Sequence, residues 1–487
     1  MRTQLTASHV LGHRDGGHVL FRNAAVVYED DVIIHVGHGY AGPVDRHVDL
    51  GNALLTPGFI DLDALTDIDH LLLDSWHGAE DAKGLTWSAE YFARARRDVF
   101  TTEERQTIRR YALVQLALHG ITTYMPIASE VHSAWAEDSA ELAGMAQTSR
   151  ELGLRGYLGP AYRSGVNVVT DDGERTVLFE PALGEAGLQD ALAFLDWVEE
   201  LADPLVNGVL LPCRIETLTP ELLADTAEAS SERGVLVRLH SLQGVFERNF
   251  LAERHGATPL EMIAAAGLLN DRLLIPHGIL TDRHHAVHGE DRGDLATLAG
   301  AGVSIIHCPQ TSFRYGQVID SFSSYKKAGI TMALGTDSFP PDLVRGMDAG
   351  VHLAKLADGR ADAAPASDYL DAATLGGAAA LKRPDLGRLE PRAQADMVAF
   401  SLDDFRDGVS DDPVRTLLLN GTARNAFHSV VAGRTVMAGG AIPGVDLESL
   451  GRAAEEIFAK MRDAYGERDF QGRPASVLFP PSYPAAD

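Results

Sequence analysis

Short apolar runs alternate with longer stretches of helical periodicity through most of the chain. Residues 103–119 predict a helix, because apolar side chains recur on one face and Thr102 stands in a capping position. Residues 188–201 and 220–233 predict helices in the same way. The apolar runs that predict strands are Leu54 to Asp61, Gly120 to Met125, Gly156 to Ala161, Gly208 to Cys213, Val235 to His240, Leu273 to His277, Val303 to Cys308 and Thr331 to Gly335.

This alternation predicts an α/β fold with a parallel sheet, and eight strand–helix units fit a (β/α)8 TIM barrel. An open, doubly wound sheet is the alternative, but no Gly-x-Gly-x-x-Gly motif follows an early strand. Strand-and-turn texture at both chain ends predicts short strands there. The last residues predict a C-terminal helix with an extended Pro-rich tail.

Charge, hydrophobic content and cysteine content limit the kinds of partner and site that we expect for this chain. The 487 residues carry a net charge of −27, which disfavours nucleic acid and anionic membranes as partners. We find no export signal and no apolar stretch long enough to span a membrane, so we expect a cytoplasmic protein. Cys213 and Cys308 stand alone, which excludes a zinc ribbon and makes a disulfide unexpected. The Pro-rich C-terminal end predicts an extended arm that lies on the surface or on a neighbouring copy, so the sequence is compatible with a homo-oligomer.

Four of the predicted strands end in a polar residue that suits metal binding or proton transfer. These residues are His240, His277, His307 and Asp337, separated by 37, 30 and 30 residues. A strand–helix unit takes about 30 residues, so consecutive strands would each place one such group at the same mouth. Imidazole and carboxylate together suit zinc or another divalent metal.

Several short motifs in this order resemble the amidohydrolase superfamily, in the branch of chlorotriazine hydrolases and of cytosine and guanine deaminases. Residues 57–65 read Pro-Gly-Phe-Ile-Asp-Leu-Asp-Ala-Leu, where the family reads Pro-Gly-hydrophobic-Ile-Asp-x-His-x-His. Further matching segments lie at residues 120–123, 217–223, 307–312, 334–337, 373–378 and 387–398. The resemblance implies a (β/α)8 barrel (57–385) with a small β-sandwich domain built from both chain ends (1–56 and 386–445). A C-terminal helix with an extended Pro-rich tail (446–487) would follow.

The resemblance also implies roles for individual positions. The family's metal ligands fall on Asp63, Leu65, His240 and Asp337, and His277 lies beside the metal. Gln243 stands where the family has a proton-shuttling Glu, and an amide cannot exchange that proton. Leu65 cannot bind metal, whereas a carboxylate such as Asp63 is a competent zinc ligand.

Two interpretations stay open for this altered site. In the first, Asp63, His240, His277 and Asp337 hold a divalent metal, with zinc favoured, and His277, Asp337 and Gln243 serve catalysis. The second is a metal-free, degenerate member with a binding role or a different chemistry. The first predicts a hydrolase that opens a C–N bond of a nitrogen heterocycle or cyclic amide. The substrate-binding candidates are Trp76, Arg214, His307, Ser312 and Arg314.

Overall fold

A computed structural model describes residues 1–68, 83–127 and 130–484 of the chain. Both chain ends contribute to one sheet, which we call the terminal sheet. It joins five strands from the first 57 residues to three strands after residue 396. Its strands are Arg2–Arg14, Gly17–Glu29, Val32–Gly37, Arg46–Asp49, Ala53–Pro57, Met397–Ser401, Ala426–Val431 and Arg434–Ala438.

Between these ends, parallel strands form two sheets of four. The first contains Phe59–Leu65, Ile121–Ile127, Arg155–Leu158 and Val206–Gly208. The second contains Val237–Arg238, Leu273–Pro276, Ser304–His307 and Thr331–Leu334.

The two parallel sheets meet at both edges. Leu210 pairs in parallel with Val237 at one edge. At the other edge, the Asp337 amide donates to the Asp63 carbonyl at 2.8 Å. Shorter strands flank this arrangement: Trp87–Ser88, Gly165–Val169 and Arg175–Phe179 form one sheet, and Ala161–Tyr162 pairs with Leu211–Pro212. The structure is thus of the mixed α/β class that the sequence predicts.

Helices follow most of the parallel strands. The longer ones are Thr102–Leu118, Ser139–Leu152, Pro181–Leu201, Pro220–Arg233, Val245–His255, Leu343–Asp358 and Leu447–Arg468. The shorter α-helices are Ala89–Arg94, Pro259–Ala265, Asp294–Ala301, Pro309–Arg314, Phe322–Ala328, Ala366–Asp371, Gly377–Ala380, Pro413–Asn420 and Ala475–Leu478, and Ala372–Gly376 is a π-helical turn. None of the described helices is both long enough and apolar enough to cross a bilayer.

Several boundaries differ from the sequence prediction, including those of one strand and one helix that bear on the site. The apolar run at residues 54–61 is two strands, because Ala53–Pro57 pairs within the terminal sheet and Phe59–Leu65 starts the first parallel sheet. Gly58 separates them, and a Cβ there would lie 2.1 Å from the Thr122 hydroxyl, so only glycine fits. The helix predicted from residue 103 is capped by Thr101 rather than Thr102, in a reciprocal capping box with Glu104.

Candidate active site

The ends of the parallel strands bring four of the predicted residues together. Oδ2 of Asp63 lies 3.4 Å from Nε2 of His240 and 4.0 Å from Nε2 of His277. Oδ2 of Asp337 lies 3.7 Å from the same His277 nitrogen. All four residues are buried. Side chains that are distant in the sequence therefore converge on one small volume.

Unusual backbone conformations turn two of these residues toward the cluster. His277 and Asp337 have φ angles of +66° and +35°, a region that residues other than glycine seldom adopt. Backbone bonds hold both turns, since the His277 amide donates to the Ile306 carbonyl at 2.8 Å and the hydroxyl of Thr311 donates to the Asp337 carbonyl. Such conformations persist only where the surroundings stabilise them, and they are common at active sites.

The donor set fits a divalent metal. The ligand atoms of Asp63, His240 and His277 all lie within 4.8 Å of one another. Ligands around a tetrahedral zinc ion stand about 3.4 Å apart, close to the observed spacing. His240 Nδ1 lies 3.2 Å from the Cys213 carbonyl, which can only accept, so Nδ1 is the donor there and Nε2 is the nitrogen that faces Asp63. Within the described residues, Nε2 of His240 and Nε2 of His277 have no hydrogen-bond partner.

Burial and neighbouring charges shift the pKa values of the cluster residues in different directions. Burial pushes the pKa of Asp63 upward, but the charges of His240 and Arg238 outweigh it and hold that pKa below its usual value. Burial, reinforced by the charge of Asp63, raises the pKa of Asp337 well above its usual value. Burial lowers the pKa of His277 to about 3, so its imidazole is neutral at pH 7. A neutral imidazole is the form that binds a metal.

A second group of histidines does not offer the same donors. His284, His285 and Asp320 also lie close together. Nε2 of His284 lies 2.9 Å from the Val318 carbonyl, and its Nδ1 accepts from the Ala286 amide at 3.2 Å. Because both nitrogens of His284 are engaged within the protein, this group is not a comparable metal site.

Two predicted residues contact each other beside the cluster. A guanidinium nitrogen of Arg214 donates to the side-chain oxygen of Gln243, and both residues are half-buried. The Gln243 amide therefore orients Arg214. Buried Glu247 accepts from the backbone amides of Leu242 at 2.7 Å and Gln243 at 3.1 Å, which fixes the loop that carries the pair.

The other predicted substrate-binding residues are placed differently. The buried His307 ring lies beside a stacked pair of aromatic rings, with its centroid 5.8 Å from that of Phe322 and 6.1 Å from that of Tyr369. The Ser312 hydroxyl donates to the Cys308 carbonyl at 2.8 Å within its own helix. Arg314 is half-buried at the end of that helix. Trp76 lies outside the described residues.

The structure adds residues that sequence reasoning missed. Asp61 accepts from the Thr336 hydroxyl at 2.6 Å and from the Thr336 amide at 3.0 Å, which joins the first and last parallel strands. Nη1 of the buried Arg238 lies 3.2 Å from Oδ1 of Asp63. A signal for Arg238 was present, because it is a charged residue in an apolar run, two positions before His240 and so on the same face of the strand.

Comparisons with known proteins identify the family of the chain. The profile of the Amidohydrolase family matches residues 54–436. The 5-methylthioadenosine/S-adenosylhomocysteine deaminase of Halobacterium salinarum is 28% identical over 410 residues, which cover 83% of this chain and 86% of that protein. The 8-oxoguanine deaminase of Pseudomonas aeruginosa is 28% identical over 356 residues, 72% of this chain and 75% of that protein.

A solved structure shows the same fold. The atrazine chlorohydrolase of Arthrobacter aurescens TC1, complexed with zinc, superimposes with a TM-score of 0.76 at 22% identity. The superposition covers 94% of this chain and 100% of that one.

Proposed function

The chain belongs to the amidohydrolase family and is a hydrolase of carbon–nitrogen bonds other than peptide bonds, and we propose that it deaminates an amino-substituted nitrogen heterocycle. The substrate is a small molecule. The observation that carries the proposal is the buried convergence of Asp63, His240, His277 and Asp337 at the strand ends. The deaminase names of the two relatives support the reaction type.

We propose that the chain also has the domain organisation that the sequence predicts. We infer that the two parallel sheets close into a barrel of eight strand–helix units, with residues 57–385 as its extent. Residues 1–56 and 386–445 would form the sandwich domain, followed by the C-terminal segment 446–487. The zinc-containing chlorohydrolase, which shares the fold over most of both chains, supports this division.

Asp63, His240, His277 and Asp337 would hold a divalent metal, with zinc favoured. Nε2 of His240 and Nε2 of His277, which make no hydrogen bond within the described part of the chain, support this assignment, as does the zinc in the chlorohydrolase structure. When bound, such an ion lowers the pKa of water and polarises the electrophile. Because one imidazole pair and two carboxylates make a mixed nitrogen and oxygen set, a borderline ion suits the site better than calcium or magnesium.

Asp337 is the residue that moves the proton in this proposal. Its carboxylate is buried beside His277 and has a raised pKa, so it readily takes a proton from the attacking water at Oδ2. It then returns that proton to the departing nitrogen, which leaves as ammonia. His277 lies next to Asp337 and is the weaker base of the two, because burial lowers its pKa to about 3. Gln243 has no proton to exchange, and its contact with Arg214 gives it a positioning role.

Arg214, oriented by Gln243, would contact the substrate at the mouth of the site. Its half-buried guanidinium can donate to a ring carbonyl or ring nitrogen. Trp76, His307, Ser312 and Arg314 stay predictions for substrate binding. The metal-free, non-hydrolytic alternative is not favoured, because the relatives are named as deaminases.

Ammonia release from a panel of aminopurines, aminopyrimidines and amino-triazines tests the function. We expect turnover of at least one compound by the wild-type protein and a loss of about 1,000-fold or more in Asp337→Asn. Asp348→Asn, a change of a carboxylate on the partly exposed face of a helix, serves as the control and should leave turnover unchanged. Turnover that survives in Asp337→Asn would mean that the proton carrier lies elsewhere.

A further inference from the structure

Arg238 is a buried cation directly beneath the candidate metal ligands. Its side chain is 4% exposed and that of Asp63 is fully buried, with Nη1 of the arginine 3.2 Å from Oδ1 of the aspartate. The same Nη1 donates to the Met125 carbonyl at 3.3 Å and to the Leu62 carbonyl at 3.5 Å. The guanidinium is therefore fixed by groups from the first two strands of the first sheet.

Asp63 divides its two oxygens between two different neighbours. Oδ1 faces Arg238, whereas Oδ2 faces His240, His277 and the thiol of Cys308 at 3.7 Å. An unpaired carboxylate at full burial is costly, and a guanidinium left without its carboxylate is equally costly. The ion pair thus offsets the desolvation cost of burying each of the two charges.

We propose that Arg238 is a positioning residue that forms one unit with Asp63. It holds Oδ1 and leaves Oδ2 as the single oxygen that Asp63 presents to a metal. It also places a fixed positive charge beneath the site, which offsets the charge of Asp63. This inference rests on the proposed metal site only where metal affinity is concerned. The ion pair itself is independent of that proposal.

A double-variant cycle on the full-length protein tests the unit through thermal unfolding without metal. Asp63→Asn and Arg238→Met alone should each lower the unfolding midpoint by about 5 °C or more, because each leaves a buried charge unpaired. The double variant should recover more than half of that loss. Effects of the two changes that simply add would overturn the proposal.

Zinc affinity, measured by competition with a chromophoric chelator, supplies a readout that a merely structural ion pair would not move. Asp63→Asn, with Arg238 retained, should bind zinc about 100-fold more weakly than wild type. Adding Arg238→Met to that variant should restore about tenfold of the loss, because the uncompensated cation is gone. A double variant that binds no more tightly than Asp63→Asn would overturn the role of Arg238 in the site.

The buried pair of Arg155 and Asp396 is the matched control. Its atoms lie 3.1 Å apart and its side chains are 1% and 4% exposed, so it resembles the Arg238 pair. Arg155→Met with Asp396→Asn should show coupling in stability and leave zinc affinity unchanged. If the wild-type protein itself takes up no zinc, the proposed metal site fails, and the stability cycle alone decides the inference on Arg238.

Discussion

At the scale of single residues, Asp63 stands where the family motif has a histidine, and neighbouring side chains stabilise its buried carboxylate. A carboxylate in this position requires a counter-charge, and Arg238 provides it. Sequence reasoning identified Asp63, His240, His277 and Asp337 from strand-end positions and motif order, and the structure brings those four together. It did not identify Arg238, because a partner that is distant in sequence becomes visible only when the strands are placed.

His307 differs from His240 and His277 in that its ring lies beside aromatic side chains. Its ring is buried against Phe322 and Tyr369, and neither ring nitrogen has a hydrogen-bond partner among the described residues. Burial lowers its pKa to about 3. A histidine whose folded-state pKa is lowered contributes stability above its unfolded pKa and loses it as the pH falls toward the folded value.

We therefore predict that His307→Met reduces the acid sensitivity of the fold. The wild-type contribution is fully present above about pH 6.5 and falls as the pH drops toward 3. Between pH 7 and pH 5 the wild-type protein should lose about 2 kcal/mol more stability than the variant. Urea unfolding at the two pH values measures this difference. Equal losses in both proteins would show that His307 is protonated or solvated in the folded state.

At the scale of elements, the join between the first and last parallel strands sets the site geometry. Asp61 binds both polar groups of Thr336, and the Asp337 amide binds the Asp63 carbonyl. Gly335 permits this approach, since a Cβ there would lie 2.5 Å from Cβ of Asp63. The sequence predicted most of these strands, because their apolar runs are distinct. The sequence prediction treated residues 54–61 as one strand, because the apolar character continues across Gly58, where the structure divides them into two.

Gly335→Ala should separate these two strands and disrupt the site. We expect a loss of activity of about 100-fold or more, because displacement of reacting groups by about 1 Å has that effect. Gly300→Ala is the control, since a Cβ there meets no atom within 4 Å and the position is an exposed helical one. That control should be neutral or stabilising by about 0.5–1 kcal/mol. Steady-state kinetics that are unchanged in Gly335→Ala would show that the strand join does not control the site.

At the scale of the whole molecule, the chain brings its two ends into one sheet and attaches that sheet to the first parallel sheet. The buried pair of Arg155 and Asp396 links them, with atoms 3.1 Å apart. The C-terminal helix Leu447–Arg468 packs on the helix Thr102–Leu118, where Lys460 meets Glu104 at 2.6 Å. The sequence predicted that both ends form strands. The pairing order needed the structure, because strand texture does not specify which strands are neighbours.

The metal content of the purified protein shows whether Asp63, His240, His277 and Asp337 hold an ion. We expect close to one equivalent of a divalent ion, with zinc favoured, in the wild-type protein, and less than about a tenth of an equivalent in Asp63→Asn. Elemental analysis of both proteins, after dialysis against metal-free buffer, gives the answer. Full deaminase activity in a wild-type protein that holds less than about a tenth of an equivalent would show that the reaction does not depend on a metal at this site.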